Sequence, residues 1–275
     1  MKSGIFAVAA IGLFVTACQL PSQGGPEPKE EDIAPPTDPV LIGELRQGSG
    51  YLAGYLAPSD LPDSLALLPP PPQEGTKSVQ ADLEAHEAGQ LLRETARWRI
   101  AQQDNELHFP EAGRSFSCVL GIEISQESTP HLVTLMRRTL ADAGRSTYKA
   151  KEAYTRVRPF VTLGDESCVP EAQAMLSSDG SYPSGHAAVG WAWGLLLTGL
   201  APEKADDLLQ RGYAFAESRR ICGVHWQSDV DAGRLMGAAT YARLQSDPVF
   251  MAQSVLAKEE IDRASRSTDT PILCD

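Results

Sequence analysis

The segment Ser181–Gly194, SYPSGHAAVGWAWG, sets a proline, a serine, a glycine and a histidine directly ahead of a run rich in alanine, glycine and tryptophan. A run this apolar reads as the body of a buried helix. Ser184 stands where an N-cap is needed, since its side-chain oxygen can accept one of the first helical N–H groups. Gly185 permits a tight approach. His186 is then an ionisable ring at the mouth of an apolar helix, where free N–H groups and the helix dipole favour an anion.

Helical spacing continues on both sides of this segment. Apolar residues recur every three or four positions over 79–103, 129–144, 145–157, 187–200, 203–221, 228–245 and 247–265. Thr129–Pro130 and Asp247–Pro248 supply cap-then-proline starts. Strand signals are sparse from Tyr51 onward, and residues 55–75 read as an extended, proline-punctuated lead-in. The expected fold is all-α, a single helical-bundle domain over residues 49–267 followed by a loose tail, 268–275.

The first 48 residues stand apart. Lys2 precedes GIFAVAAIGLFVTA, an apolar stretch too short to span a bilayer comfortably but suited to a secretory leader. It ends in VTAC, which resembles the lipobox of bacterial lipoproteins. The resemblance implies a signal peptide over 1–17, lipidation of Cys18 and a periplasmic, lipid-anchored protein. Gln19 in place of Asp is similar to the outer-membrane-destined case. Residues 18–48 are rich in proline, glycine and acids and read as a tether that cannot bury enough apolar surface to fold.

Cys118, Cys168, Cys222 and Cys274 remain. Export to an oxidising compartment makes two disulfides the expectation, with three pairings open, and no CxxC pair points to zinc. The net charge is −12 at pH 7. That argues against nucleic acid as a partner and makes any cluster of cations conspicuous.

Three blocks supply such a cluster. In KEAYTRVRP, Lys151 and Arg158 are seven apart, which on a helix places them on one face two turns apart, with Pro159 ending the helix. In YPSGH, His186 sits at the helix start. In SRRICGVHWQSD, Ser218 and Arg219 end a helix, Gly223 lets the chain turn, and His225 and Asp229 follow at a spacing of four. Three cations, an anion-ready helix start and two histidines are the parts for phosphoryl transfer without a metal or other cofactor. A cation about 4 Å from an anion is worth roughly 4 kcal/mol at an effective dielectric of about 20. The diffuse acidic charge is screened over about 8 Å, so a local site can hold an anion that the chain as a whole repels.

Read together, Lys151-x6-Arg158-Pro159, Pro183-Ser184-Gly185-His186 and Ser218-Arg219-x5-His225-x3-Asp229 resemble the three-part signature of the type 2 phosphatidic acid phosphatase and vanadium haloperoxidase superfamily. Within it, LALLPPPP (65–72), GSYPSGH (180–186) and ICGVHWQSDVDAGR (221–234) are similar to the class A bacterial non-specific acid phosphatases, over roughly Tyr51 to Ala257. Ala187 departs from the threonine usual there, beside the site but removing no catalytic group.

The resemblance implies an acid phosphatase acting on phosphate monoesters such as nucleotides, aryl and sugar phosphates, with inorganic phosphate or vanadate as further ligands. His225 would be the nucleophile, Asp229 would fix its tautomer, and His186 would be a protonated acid for the leaving alcohol. Lys151, Arg158, Arg219, Ser184 and the Gly185 N–H would hold phosphate. Related enzymes also self-associate. If the second and third blocks meet, Cys168 and Cys222 come close, which leaves Cys118 with Cys274. Two other readings share the pocket. A vanadate-dependent haloperoxidase is disfavoured by the class A blocks outside it. A non-catalytic phosphate-binding envelope lipoprotein is disfavoured by the intact His186, His225 and Asp229. Trp191, Trp193 and Trp226 read as core or pocket wall.

Overall fold

A computed structural model describes residues 34–266, in which helices alternate with loops and the sole β-type pairing is an isolated Glu44–Leu52 bridge. Single turns α1 (Pro39–Ile42) and α2 (Ser64–Leu67) lie in the lead-in. They are followed by α3 (Lys77–Gln90), α4 (Ala96–Gln103), α5 (Glu111–Leu120), α6 (Pro130–Ser146) and α7 (Tyr148–Tyr154). The short α8 (Pro159–Leu163) and α9 (Gln173–Leu176) precede α10 (Gly185–Leu200), α11 (Ala205–Ile221), α12 (Gln227–Leu244) and α13 (Pro248–Arg266). The fold is all-α.

Helix α10 is the axis of the bundle because its sequence is apolar around most of its circumference. Ala187, Ala188, Val189, Ala192, Trp193, Leu196 and Leu197 are all buried. It packs on α11, α12 and α6, with α13 closing against α6. Trp193 donates its indole N–H to the Met136 carbonyl at 2.9 Å, and Phe116 and Phe215 meet its ring edge-on. Small residues let the backbones close up. A Cβ on Gly237 of α12 would stand 2.3 Å from the Ala188 carbonyl oxygen, and one on Gly233 would stand 2.4 Å from that of Ser184. The third block therefore rides directly on the start of α10.

The lead-in is a strap across the bundle. Leu52, Leu56 and Leu68 are buried. The Asp142 carboxylate of α6 accepts the N–H groups of Tyr55 at 2.8 Å and Leu56 at 3.3 Å. Tyr182 donates its hydroxyl to the Pro69 carbonyl at 2.8 Å, which fastens the proline run beside the SYPSGH loop.

The elements differ from the periodicity reading in four places. The segment 79–103 is two helices, because the chain turns between Gln90 and Ala96 and passes through a left-handed Glu94. Helix α5 lies outside the segments read as helical, although Ala112, Phe116 and Leu120 recur every four residues on its buried face, and it ends on a left-handed Gly121. The segment 145–157 ends its helix at Tyr154, where Thr155 turns left-handed. Pro159 opens α8 with Arg158 as its N-cap residue, so Lys151 and Arg158 do not share a helix face. Thr129 makes no side-chain cap, whereas Asp247 accepts the Phe250 N–H at 2.8 Å. Ordered structure also begins before residue 49. Pro35 is buried, and Asp38 caps α1 through the Val40 N–H. Cys18, the leader and Cys274 lie outside the described residues.

A Cys168–Cys222 disulfide ties the loop after α8 to the end of α11 across a sequence separation of 54. Closing a loop of that size removes chain entropy from the unfolded state worth about 4 kcal/mol. A Cys168→Ser/Cys222→Ser variant is expected to lose stability of that order in a denaturant titration, with activity falling in the same range of denaturant.

Candidate active site

Helix α11 ends at Ile221, and Gly223, at φ +76°, turns the chain back so that His225 and Trp226 lead into α12. Asp229 occupies the third position of α12 and accepts the Trp226 N–H at 2.9 Å. Its backbone carbonyl accepts the Ser184 N–H at 2.9 Å. The second and third sequence blocks are thus stitched together through one residue.

His225 is buried, and its two ring nitrogens have different neighbours. Arg158 Nη1 lies 3.0 Å from Nε2. A guanidinium only donates, so Nε2 carries a lone pair and the ring proton resides on Nδ1. Nδ1 faces the Ser181 hydroxyl at 3.3 Å and Asp229 Oδ2 at 3.5 Å. The Ser181 hydroxyl in turn donates to Asp229 Oδ2 at 2.5 Å. The carboxylate reaches the imidazole both across the four-residue spacing and through a serine. Burial, then Arg158, Lys151 and Arg219, holds the His225 ring well below the ordinary histidine value, in its neutral form.

His186 lies in the first turn of α10, with Nε2 3.0 Å from the Asn105 carbonyl. Donating there leaves Nδ1 as the atom that accepts and releases a proton. Burial first, and Arg219 second, holds this ring too well below its ordinary value. The protonated His186 expected from the resemblance is therefore not the state this environment favours by itself. An anion bound beside these cations would oppose their field and raise the pKa of the ring.

The cations surround the two rings. Lys151 donates from Nζ to the Gly180 carbonyl at 2.6 Å, and burial beside Arg158 lowers it to about 8. Arg158 places Nε on the Leu176 carbonyl at 2.8 Å and Nη1 on that of Val224 at 2.9 Å. Arg219 is fully buried and donates Nη1 to Asn105 Oδ1 at 3.0 Å, while its Nε and Nη2 have no partner among the described residues. Two buried, unpaired guanidinium N–H groups call for an acceptor, and an oxyanion supplies one. Ser184 accepts the Ala187 N–H at 3.2 Å, which leaves its hydroxyl hydrogen to donate. Gly185 follows at the helix start. Among the described residues no cluster of three or more His, Cys, Asp or Glu side chains is placed to hold a metal ion.

Four contributors escape the sequence reading. Ser181 joins the two members of the His225–Asp229 pair. Asn105 bridges Arg219 and His186, and its neighbour Asp104 is pinned by Ser218 at 2.6 Å and by Arg211. Arg156 ion-pairs with Asp229 Oδ1 at 2.6 Å and with Asp82 Oδ2 at 2.7 Å, and Asp82 also accepts the Ser228 hydroxyl at 2.6 Å. Arg156 and Ser181 stand inside quoted motifs without distinctive spacing. Asp82 and Asn105 reach the site only through the packing of α3 and the loop after α4.

Residues 132–246 match the PAP2 superfamily. The chain is 43% identical to a non-specific acid phosphatase of Providencia stuartii over 77% of this chain and 86% of that protein. It is 39% identical to one of Salmonella typhimurium over 76% and 84% respectively. It is 36% identical to an acid phosphatase of Zymomonas mobilis over 77% and 81% respectively.

Removing the Arg156 charge leaves two buried carboxylates facing each other. Arg156→Gln is expected to cost about 3–5 kcal/mol of stability, read as a lowered Tm. Below the melting range it is expected to reduce kcat by more than it changes KM, because the carboxylate that orients His225 loses its anchor.

Proposed function

Since the chain belongs to the PAP2 superfamily and, within it, to the bacterial non-specific acid phosphatases, we propose that it hydrolyses phosphate monoesters through a phosphohistidine on His225. The observation that carries this reading is the state of His225: a buried, neutral imidazole with its lone pair on Nε2, surrounded by three cations.

In this mechanism the phosphate dianion docks between Lys151, Arg158 and Arg219, with the Ser184 hydroxyl and the Gly185 N–H completing its hydrogen bonds. His225 Nε2 attacks phosphorus as the ester oxygen departs. His186, protonated once the dianion is bound, gives its proton to the leaving alcohol. Asp229 and Ser181 hold the Nδ1 proton and offset the positive charge that forms on the ring. Neutral His186 then takes a proton from water, which attacks the phosphohistidine, and inorganic phosphate leaves with His225 restored. No step needs a metal. The phosphate half of the substrate supplies nearly all these contacts, which supports a broad range of nucleotide, aryl and sugar phosphates.

The leader and the Cys18 lipobox support export and a lipid-anchored periplasmic location, and no described helix is long and apolar enough to cross a membrane. An anchored enzyme of this kind would meet soluble phosphate esters that the wall-facing compartment supplies.

The first test is hydrolysis of p-nitrophenyl phosphate near pH 5–6 in excess EDTA. Wild type is expected to turn over, His225→Ala to lose about 10³-fold or more in kcat, and an acid-labile phosphoenzyme to be trapped in wild type only. Absence of turnover by folded wild type, or full activity in His225→Ala, would overturn the reading.

The pH dependence follows from the two rings. His225 must be neutral, and its depressed pKa puts the acid limb well below the ordinary histidine value. His186 must be protonated, so activity falls as pH rises through its pKa. That pKa is depressed in the free enzyme, and a bound dianion would raise it. The alkaline limb is therefore expected at higher pH in kcat than in kcat/KM. Affinity is also expected to weaken above about pH 8, where Lys151 loses its charge. Profiles still rising above pH 8 would contradict both assignments.

A further inference from the structure

The ion pairs of the site fall into two kinds. Arg156 meets Asp82 and Asp229 at 2.7 and 2.6 Å, and all three side chains are largely shielded from water. Asp179, on the loop between α9 and α10, meets two of the phosphate-binding cations at longer range. Its Oδ2 lies 3.6 Å from Lys151 Nζ and 3.4 Å from Arg158 Nη2. Its side chain is 46% exposed, whereas those of Lys151 and Arg158 are 5% and 3% exposed.

The other partners of these two cations, apart from His225, are backbone carbonyls. Lys151 uses that of Gly180, and Arg158 uses those of Leu176, Asp179, Val224 and Gly180. Among the described residues Asp179 is the carboxylate ion-paired with either of them. The third cation, Arg219, has an amide oxygen instead and keeps two N–H groups unpaired. Two of the three cations thus carry an anion of their own, and the third does not.

We infer that Asp179 is a built-in competitor for the phosphate cations: its carboxylate shares Lys151 and Arg158 with the incoming phosphoryl group and sets how loosely the site holds substrate and inorganic phosphate. The long distances and the half-exposed carboxylate mark a partner that can swing toward solvent, unlike the short buried pairs of Arg156. When a phosphate dianion lies against the same two cations, like charges come within a few ångströms and the affinity of the dianion falls. Exposure of Asp179 screens that repulsion, which limits its effect to roughly tenfold. The benefit is turnover. Three buried cations would otherwise retain the product, and Asp179 takes back part of their charge as phosphate departs. The carboxylate also pulls the Lys151 ammonium upward against the burial that lowers it, so the cation stays charged between substrates.

This inference rests on Lys151 and Arg158 being phosphate-binding groups, and the experiment separates the two claims. Inorganic phosphate is used as a competitive inhibitor of p-nitrophenyl phosphate hydrolysis between about pH 5 and 6, where Lys151 is charged. Wild type, Asp179→Asn, Asp179→Glu and Lys151→Ala are compared. The amide keeps the shape of Asp179 and removes its charge. Asp179→Asn is expected to lower both the inhibition constant for phosphate and KM by roughly tenfold, while Asp179→Glu stays near wild type. If Lys151→Ala weakens phosphate inhibition but Asp179→Asn leaves it unchanged or weaker, Asp179 orients the cations and the inference fails alone. If phosphate does not inhibit wild type, or Lys151→Ala has no effect on inhibition, the assignment of the phosphate site fails and the inference with it.

Discussion

The Asp229 carboxylate is the point through which the rest of the site is held. Its Oδ2 accepts the Trp226 N–H and the Ser181 hydroxyl and faces His225, and its Oδ1 accepts Arg156. Its main-chain oxygen accepts the Ser184 N–H. A fully buried carboxylate is tolerable only when its lone pairs are filled by well-placed donors, one of them charged. Meeting that requirement brings Ser181, Arg156 and the start of α12 to one point. The same residue therefore satisfies an electrostatic need of the fold and fixes the orientation of the His225 ring.

Packing makes this convergence possible. Helix α12 lies against α10 so closely that Gly233 and Gly237 have no room for a Cβ. Helix α11 delivers Arg219 from its last turn, and Gly223 reverses the chain toward His225. The disulfide holds that reversal to the loop after α8. Four separate stretches thus supply one cluster of side chains, each fixed by a short-range constraint that leaves little freedom for the site to loosen.

Electrostatically the pocket opposes the chain around it. The protein is acidic overall, with a net charge of −12, yet Lys151, Arg158 and Arg219 are buried together. The loss of water lowers all three below their ordinary values, and repulsion from Arg158 adds to it at Lys151 and Arg219. Neutral carbonyls, Asn105 and the longer contacts of Asp179 offset part of that cost. Burial and these cations together hold both histidines well below their ordinary values, and in the proposed mechanism the bound dianion raises His186.

The all-α class and the buried helix that starts at Gly185 are legible in the sequence, and the spacing of His186, His225, Asp229 and three cations supports the proposal that they form one anion site. These follow from local rules: hydrophobic period, caps, and unusual chemistry at fixed spacing. The reach of Lys151 and Arg158 was anticipated from a shared helix face, but the helix ends at Tyr154 and the two meet by way of a left-handed Thr155 and a new helix start. Only the tertiary structure decided the roles of Asp82, Asn105, Arg156, Ser181 and Asp179. Their functions lie in partners far along the chain or on backbone groups, and no local pattern encodes which carbonyl or carboxylate a folded chain will bring within 3 Å. The lowered pKa of His186 also belongs to the tertiary structure, because burial depends on everything packed around the ring.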